Sequence, residues 1–292
     1  MRRLLAVLSI VASLGSILTL LLAPPAAHAA PDADLWARWQ AHDADSTATI
    51  DHSAFDAFLH KYVVVHDHGP NGVRYGDVSA ADRDRLAHYI AAMEKIDIDR
   101  YNRDVQRAYW INLYNAETID LVLEDYPVDS IRDFGGGLFH HGPWDDQVLE
   151  VEGEELSLND IEHRILRPIW PDGMTHYGVN CASISCPSLR DSAYTGANID
   201  RALVDNAKDY VNSPEGVHFE DGRLIVSKIY DWYQSDFGGD ALGVIQRLRR
   251  FAQPALSARL DAQRGDIDGY AYDWSLNSER NIERHGFQPD DD

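Results

Sequence analysis

The chain has 292 residues, 45% of them apolar, with 26 basic and 48 acidic side chains and a formal charge of −22. A chain this acidic repels phosphate backbones and anionic lipid, which argues against nucleic-acid binding. Its length and apolar fraction suffice for one large domain or two small ones.

Residues 1–29 open with a basic pair, Arg2 and Arg3, continue as an apolar run from Leu4 to Leu22, and close on Ala27-His28-Ala29. That layout predicts a signal peptide cleaved after about Ala29 and a periplasmic or secreted protein. The apolar run is long enough to span a bilayer, so an uncleaved anchor is the rival reading. No second long apolar stretch follows, so no stable membrane insertion is expected after cleavage.

Helical periodicity begins at Asp34–Gln40 and returns from His52 to Tyr62, where Phe55, Phe58 and Leu59 share a face. Between them, Asp43, Asp45, Thr47 and Asp51 mimic the first half of a calcium loop. Ala48 and Ala54 stand where that loop needs Gly and Glu. A capped helix start at Asp51 or Ser53 is the better reading. Val63–Val65 and Val73–Tyr75 flank Gly69-Pro70-Asn71-Gly72 as a hairpin. Ser79 caps a helix running to about Lys95, and Asn102 or Asp104 opens another that runs to Tyr126 before Pro127.

Phe134-Gly135-Gly136-Gly137 reads as a loop. Gln147–Val151 and Glu155–Leu156 form a second hairpin around Glu152-Gly153-Glu154. Ser157 opens a helix, Leu158–Arg167, closed by Pro168. Thr175–Asn180 reads as a strand, and Ile199–Val211 as an amphipathic helix. Val217–Phe219 and Leu224–Ser227 flank an Asp221-Gly222 turn, the third hairpin. Helices at Ile229–Gln234 and Ala241–Phe251 and a late strand at Gly269–Trp274 complete the elements, and residues 286–292 form a disordered acidic tail. The expected class is α+β: a single domain over 30–285, mostly helical, with several short hairpins and antiparallel strands.

Three stretches carry groups suited to chemistry. Asn112 and Asn115 lie one turn apart on a helix that is apolar nearly all round. They either tie loops to the core or orient a catalytic side chain or a substrate. Glu162 projects between Leu158 and Leu166, within the apolar stripe of its helix, with His163 on the shoulder. A carboxylate aimed at the core needs a cation, such as Arg132 or Arg190, or a histidine that it orients.

The only cysteines, Cys181 and Cys186, lie in THYGVNCASISCPSL. A helical turn after Cys181 would lower its pKa and supply an oxyanion donor, while Cys186 precedes Pro187 and belongs in a loop. His176 is the nearest base. On a strand, however, positions 176 and 181 face opposite sides and stand about 16 Å apart, which brings in His163 and His218 as alternatives. A Cys181–Cys186–His176 metal site lacks a fourth ligand and the short Cys-x-x-Cys spacing, so no metal is expected. A Cys181–Cys186 disulfide is open in an oxidising compartment and would contribute roughly 2 kcal/mol.

YWINLYNAETIDLVLEDYPVDSIRD, LSLNDIEHRILR, HYGVNCASISCPSL, LIVSKIYDWYQSDFGG and YAYDWSLN together resemble the domain-of-unknown-function 547 family, in that order, from about Ser53 to Asn277. The resemblance implies that Asn112, Asn115, Glu162, His163, His176, Cys181, Cys186 and Trp232 occupy the family's motif positions, whereas His218 matches none. It implies an exported bacterial member. Plant members in a reducing compartment imply that a disulfide is not the pair's general purpose. Ser188 stands where the family usually has a second proline.

Two functions follow as expectations. One is a thiol-dependent hydrolase or acyl transferase on a periplasmic amide, ester or peptide. Cys181 would be its nucleophile, His176 or His163 the base, Glu162 the orienter, and Asn112, Asn115 and Trp232 would bind or position substrate. The other is a non-catalytic binding or scaffold domain, with Cys181–Cys186 as a staple or as inert thiols. Neither calls for a cofactor. The implied partner is a small-molecule or peptide ligand.

Overall fold

The computed structural model describes residues 31–67, 69–134, 142–263 and 265–286. The predicted signal peptide, the Gly135–Gly137 loop and the acidic tail beyond residue 286 lie outside the described residues.

The first half is helical: α1 (Ser53–Tyr62), a two-residue hairpin of β1 (Val63–Val64) and β2 (Gly72–Val73), α2 (Ala80–Met93) and α3 (Arg103–Asp125). Two caps are the predicted ones, while α1 has His52 at its N-cap position with no side-chain cap hydrogen bond, in place of the expected Asp51 or Ser53. Ser79 accepts from Asp82 N–H at the start of α2, and Asn102 from Val105 N–H at the start of α3. Every residue of α3 from Val105 to Ile119 is buried, so this helix is the central pillar. Against it pack α2, α5 (Ile199–Val211) and a helical segment at Asp160–Leu166.

Three small sheets decorate the helices. β3 (Leu149–Val151) pairs with β4 (Glu154–Leu156) as an antiparallel hairpin. β5 (Val217–Glu220) pairs antiparallel with β6 (Arg223–Ser227), and Asp221 (φ 51°) and Gly222 (φ 78°) make the two-residue turn between them. β7 (Gly269–Ala271), shorter than the expected Gly269–Trp274, joins β6 in parallel. The remaining helices are α4 (Arg167–Ile169), α6 (Ile229–Trp232), α7 (Ala241–Phe251), α8 (Pro254–Ala262) and α9 (Glu279–His285). The molecule is about 50% helical with 10% strand, one compact α+β fold. Among the described residues no helix is long and apolar enough to cross a membrane.

Two expected elements differ. Thr175–Asn180 is not a strand. Thr175–Tyr177 forms a turn of 3₁₀ helix, with Gly178 N–H donating to Thr175 O at 2.8 Å. The backbone beyond it is satisfied by side-chain amides rather than a neighbouring strand: Asn206 donates to Tyr177 O, and Asn115 donates to Gly178 O and accepts from Asn180 N–H. A run buried on every side has no polar alternation to separate a strand from a helical turn.

The helix after Ser157 also departs from α geometry. Asp160–Leu166 is π-helical, with Arg167 N–H reaching back five residues to Glu162 O, and the chain continues through Pro168 to Ile169 as α4. Pro168 therefore does not close the helix. It offers no N–H to Arg164 O, and that carbonyl accepts from Trp36 N–H at 2.9 Å, while His163 O accepts from Asp34 N–H at 3.0 Å. The N-terminal residues supply what the helix omits.

Candidate functional site

The π-helical turn places Glu162, His163 and Arg167 together in the interior, where the 3₁₀ turn brings in His176. His176 Nε2 donates to Asp236 Oδ2 at 2.7 Å, and its Nδ1 stands 3.4 Å from Glu162 Oε1. Asp236 also accepts from Arg167, Nε to Oδ2 at 2.6 Å and Nη2 to Oδ1 at 3.3 Å. The remaining Arg167 nitrogen, Nη1, donates to Pro31 O at 2.7 Å and to His163 Nδ1 at 3.0 Å. Because a guanidinium only donates, His163 accepts at Nδ1 and carries its proton on Nε2. Two carboxylates, one guanidinium and one imidazolium thus form a charge-balanced set, buried except for the partly exposed Asp236. The Tyr233 ring stacks on His176 at 4.2 Å and lies 4.8 Å from the Arg167 guanidinium.

Protonation follows from these contacts. Burial pushes the Glu162 carboxyl up, but neighbouring His163, the hydrogen bond and charge of His176, and Arg167 outweigh it and bring it to about 2. Burial acts likewise on Asp236, and His176 and Arg167 hold it well below the usual carboxylate range. Burial alone would lower His176, and Asp236 and Glu162 raise it instead. His163 is pushed down by burial and by Arg167, against the pull of Glu162. Glu162 therefore meets a histidine, as one reading expected. The arginine beside it is Arg167, not Arg132 or Arg190. Arg132 lies over the Trp274 ring at 5.2 Å, and Arg190 reaches Ser192 and Asn206.

Cys181 belongs to a second network. Asn112 clamps Tyr194 by accepting from its N–H and donating to its carbonyl, and Asn115 does the same for the Gly178–Asn180 segment. Asn180 passes the constraint on, donating to Pro187 O and accepting from Ala182 N–H and from Asn277. These amides hold both ends of the cysteine loop. Inside it Ala182 adopts φ 57°, a left-handed conformation that is uncommon for a residue with a Cβ.

The thiols are free and their sulfurs lie 2.8 Å apart. Cys181 is partly exposed and Cys186 buried. Around Cys181 Sγ stand Cys186 Sγ, Tyr272 Oη at 3.1 Å and Ser183 Oγ at 3.2 Å, while Cys181 N–H donates to Cys186 Sγ at 3.0 Å. Burial pushes the Cys181 thiol up, and the hydrogen bonds from Cys186, Ser183 and Tyr272 pull it below its ordinary value. Burial and the neighbouring Cys181 drive Cys186 well above its ordinary value. Beside Cys181, Trp232, Tyr272 and Trp274 form a half-buried aromatic wall with centroids 4.6 to 5.6 Å apart.

The expected site residues thus fall into two groups. Glu162, His163 and His176 meet one another; Cys181 and Cys186 meet each other, with Trp232 in the aromatic wall beside them. Among the described residues no imidazole hydrogen-bonds Cys181. Both nitrogens of His176 face carboxylates, and His218 on β5 bonds Pro214 O at 2.8 Å. Sequence reasoning missed Asp236, Arg167, Asn180 and Tyr272. Asp236 and Tyr272 lie inside the quoted motifs, yet no periodicity marks them. Among the described residues no group of three or more His, Cys, Asp or Glu side chains is arranged to hold a metal ion.

Residues 98–211 match the family described as "Protein of unknown function, DUF547". That span holds Asn112, Asn115, Glu162, His163, His176 and both cysteines, while Trp232, Asp236 and Tyr272 lie beyond it. No curated protein and no solved structure matches the chain.

Proposed function

Through residues 98–211 the chain belongs to the domain-of-unknown-function 547 family, and we propose that it acts as a thiol-dependent hydrolase or acyl transferase with Cys181 as nucleophile. The observation that carries this reading is the set of three groups able to donate to Cys181 Sγ: Cys186, Ser183 and Tyr272. They favour the thiolate, the form that attacks, so no histidine base is needed. The attack forms an S–C bond to the acyl carbon and breaks the bond to the leaving group. The acyl group then passes to water or to an acceptor hydroxyl or amine.

The same donors favour one kind of substrate. An amine leaves only with a proton supplied by a nearby acid. Burial holds both the Tyr272 phenol and the Cys186 thiol well above their ordinary values, so neither is a ready acid. Esters and thioesters, whose leaving groups depart without that help, fit better than amides or peptides. The half-exposed Trp232, Tyr272 and Trp274 would receive the acyl or alcohol portion. His176 and Glu162 act in this reading as the buried frame of the domain, and residues 1–29 would deliver it to the periplasm or beyond.

The sulfur–sulfur distance of 2.8 Å favours a second reading, a non-catalytic domain whose cysteines become a disulfide in an oxidising compartment. One experiment separates the two. Reduced protein and its Cys181→Ser variant are mixed with p-nitrophenyl acetate and an acetyl thioester, and intact mass is recorded. The catalytic reading expects a burst of leaving group and one acyl adduct on Cys181, both absent from the variant. Reduced, folded protein that is neither acylated nor alkylated at neutral pH would leave the scaffold reading standing.

A further inference from the structure

In a chain with a large acidic excess, one cavity has the opposite character. It encloses about 440 Å³ between the Asp172–Met174 segment and helices α3, α5 and α7, and three arginines line it: Arg107, Arg247 and Arg250. Asp172 and Asp200 are the only acids in its wall, and Leu203 and Phe251 contribute apolar surface.

The three arginines differ in how far they are already paired. Arg107 is buried and donates through both terminal nitrogens to the Asp172 carboxylate, at 2.9 and 2.7 Å. Its Nε is buried without any hydrogen-bond partner. Arg247 donates to the backbone carbonyl of Asp172 and reaches the Met174 sulfur at 4.0 Å. Arg250 lies 5.8 Å from the Phe251 ring. Among the described residues neither Arg247 nor Arg250 has a carboxylate within ion-pair distance. They are three positions apart on α7, hence on one face. Two guanidiniums with no carboxylate in ion-pair contact, in a protein with this many acids, mark a place prepared for an anion that the chain does not supply.

We infer that this cavity binds a small monocarboxylate with an aliphatic body. Three arginines against two aspartates leave a single positive charge to be met, which suits a monoanion. A planar guanidinium engages a carboxylate through paired hydrogen bonds. The volume suits a ligand of small-molecule size, and Leu203 and Phe251 offer its body an apolar surface. Guanidiniums engage phosphate as readily as carboxylate, so it is the single net positive charge of the wall, with its apolar surface, that favours an aliphatic monoanion over a phosphate dianion. The inference is independent of the Cys181 chemistry.

Calorimetric titration of the full chain with hexanoate tests it, with acetate and inorganic phosphate as comparisons. The proteins are the wild type, Cys181→Ser, Arg250→Gln and the Arg247→Gln/Arg250→Gln double variant, each checked for an unchanged melting transition. Saturable hexanoate binding is expected. It should weaken about tenfold or more in the double variant, weaken less in the single one, and stay unchanged in Cys181→Ser. Acetate, lacking the body, should bind at least about tenfold more weakly than hexanoate. The inference fails if wild-type protein shows no saturable hexanoate binding, if the folded double variant binds equally well, or if phosphate binds more tightly than hexanoate.

Discussion

His176 and Asp236 are sixty residues apart in sequence, yet the buried imidazole donates to the partly buried carboxylate at 2.7 Å, beside Glu162 and Arg167. The pair joins the segment before the cysteine loop to the turn after α6, so these distant parts of the chain are held by one charge network.

Removing His176 should therefore damage folding rather than trim it. His176→Gln leaves Glu162 and Asp236 facing each other with Arg167 as their only close cation. Breaking one member of a buried ionic set typically costs about 3–5 kcal/mol. Chemical denaturation of the variant beside wild type measures the loss. A variant within about 1 kcal/mol of wild type would show that the network is not what holds these segments together.

The same network predicts how stability varies with pH. The folded pKa of His176 is raised above 6.5, so its stabilising contribution is complete below that pH and is lost as pH climbs through the raised value. Glu162 runs the other way. Its folded pKa of about 2 lies below the ordinary 4.5, so its contribution is complete above 4.5 and drains away as pH falls towards 2. Melting temperature recorded across both ranges should fall at each end. In His176→Gln the decline on the alkaline side should flatten.

Asn112 and Asn115 are chemically alike and separate into different roles. Asn115→Leu strips partners from Gly178 O and Asn180 N–H, costing roughly 2–5 kcal/mol and loosening the cysteine loop. Asn112→Leu strips Tyr194 of its partners instead, at similar cost. Iodoacetamide labelling of Cys181 at neutral pH should change several-fold in the first variant and little in the second. Equal labelling in both would sever the proposed link from Asn115 to the thiol.

Tyr272→Phe removes one donor from Cys181 while keeping the ring in the aromatic wall. The alkylation midpoint of Cys181 should move to higher pH, slowing labelling several-fold at pH 7. Ser183→Ala should shift it the same way. A midpoint that stays put in both variants would show that the hydroxyls do not set the thiol's ionisation.

Gly173 stands where a side chain does not fit. Its φ is 69°, and a Cβ there would lie 2.6 Å from Asp236 O. Gly173→Ala combines backbone strain with that collision and should lower stability by roughly 1–3 kcal/mol. Nearby Gly239, with φ 86° and nothing within 4 Å of its would-be Cβ, bears strain alone. Gly239→Ala should therefore cost less in the same denaturation experiment.

What the sequence discloses depends on whether water marks one face of an element. The α5 and α7 helices, half exposed, end where their periodicity says, at Val211 and Phe251. Asn102 announces α3 through its cap. Thr175–Asn180 is buried throughout, so nothing in its pattern distinguishes the 3₁₀ turn from a strand. Glu162 is legible as a carboxylate in an apolar stripe. Its surroundings are not, because His176, Asp236 and Arg167 converge through tertiary packing. Nor could spacing reveal that the two histidines nearest the cysteine in the motifs would be occupied by carboxylates and an arginine.

The N-terminal residues that donate to the π-helix give the start of the domain an unusual responsibility. Asp34 and Trp36 occupy carbonyls that a regular helix would have filled, and the Pro31 carbonyl holds an arm of Arg167. Any recombinant chain that starts after Trp36 would leave two carbonyls and a guanidinium nitrogen to find water at the edge of the acid–histidine set. The Asp34 and Trp36 amides should thus resist deuterium exchange as helix interiors do, although they sit near the start of the domain. Their protection would report on the integrity of a site more than a hundred residues away in sequence.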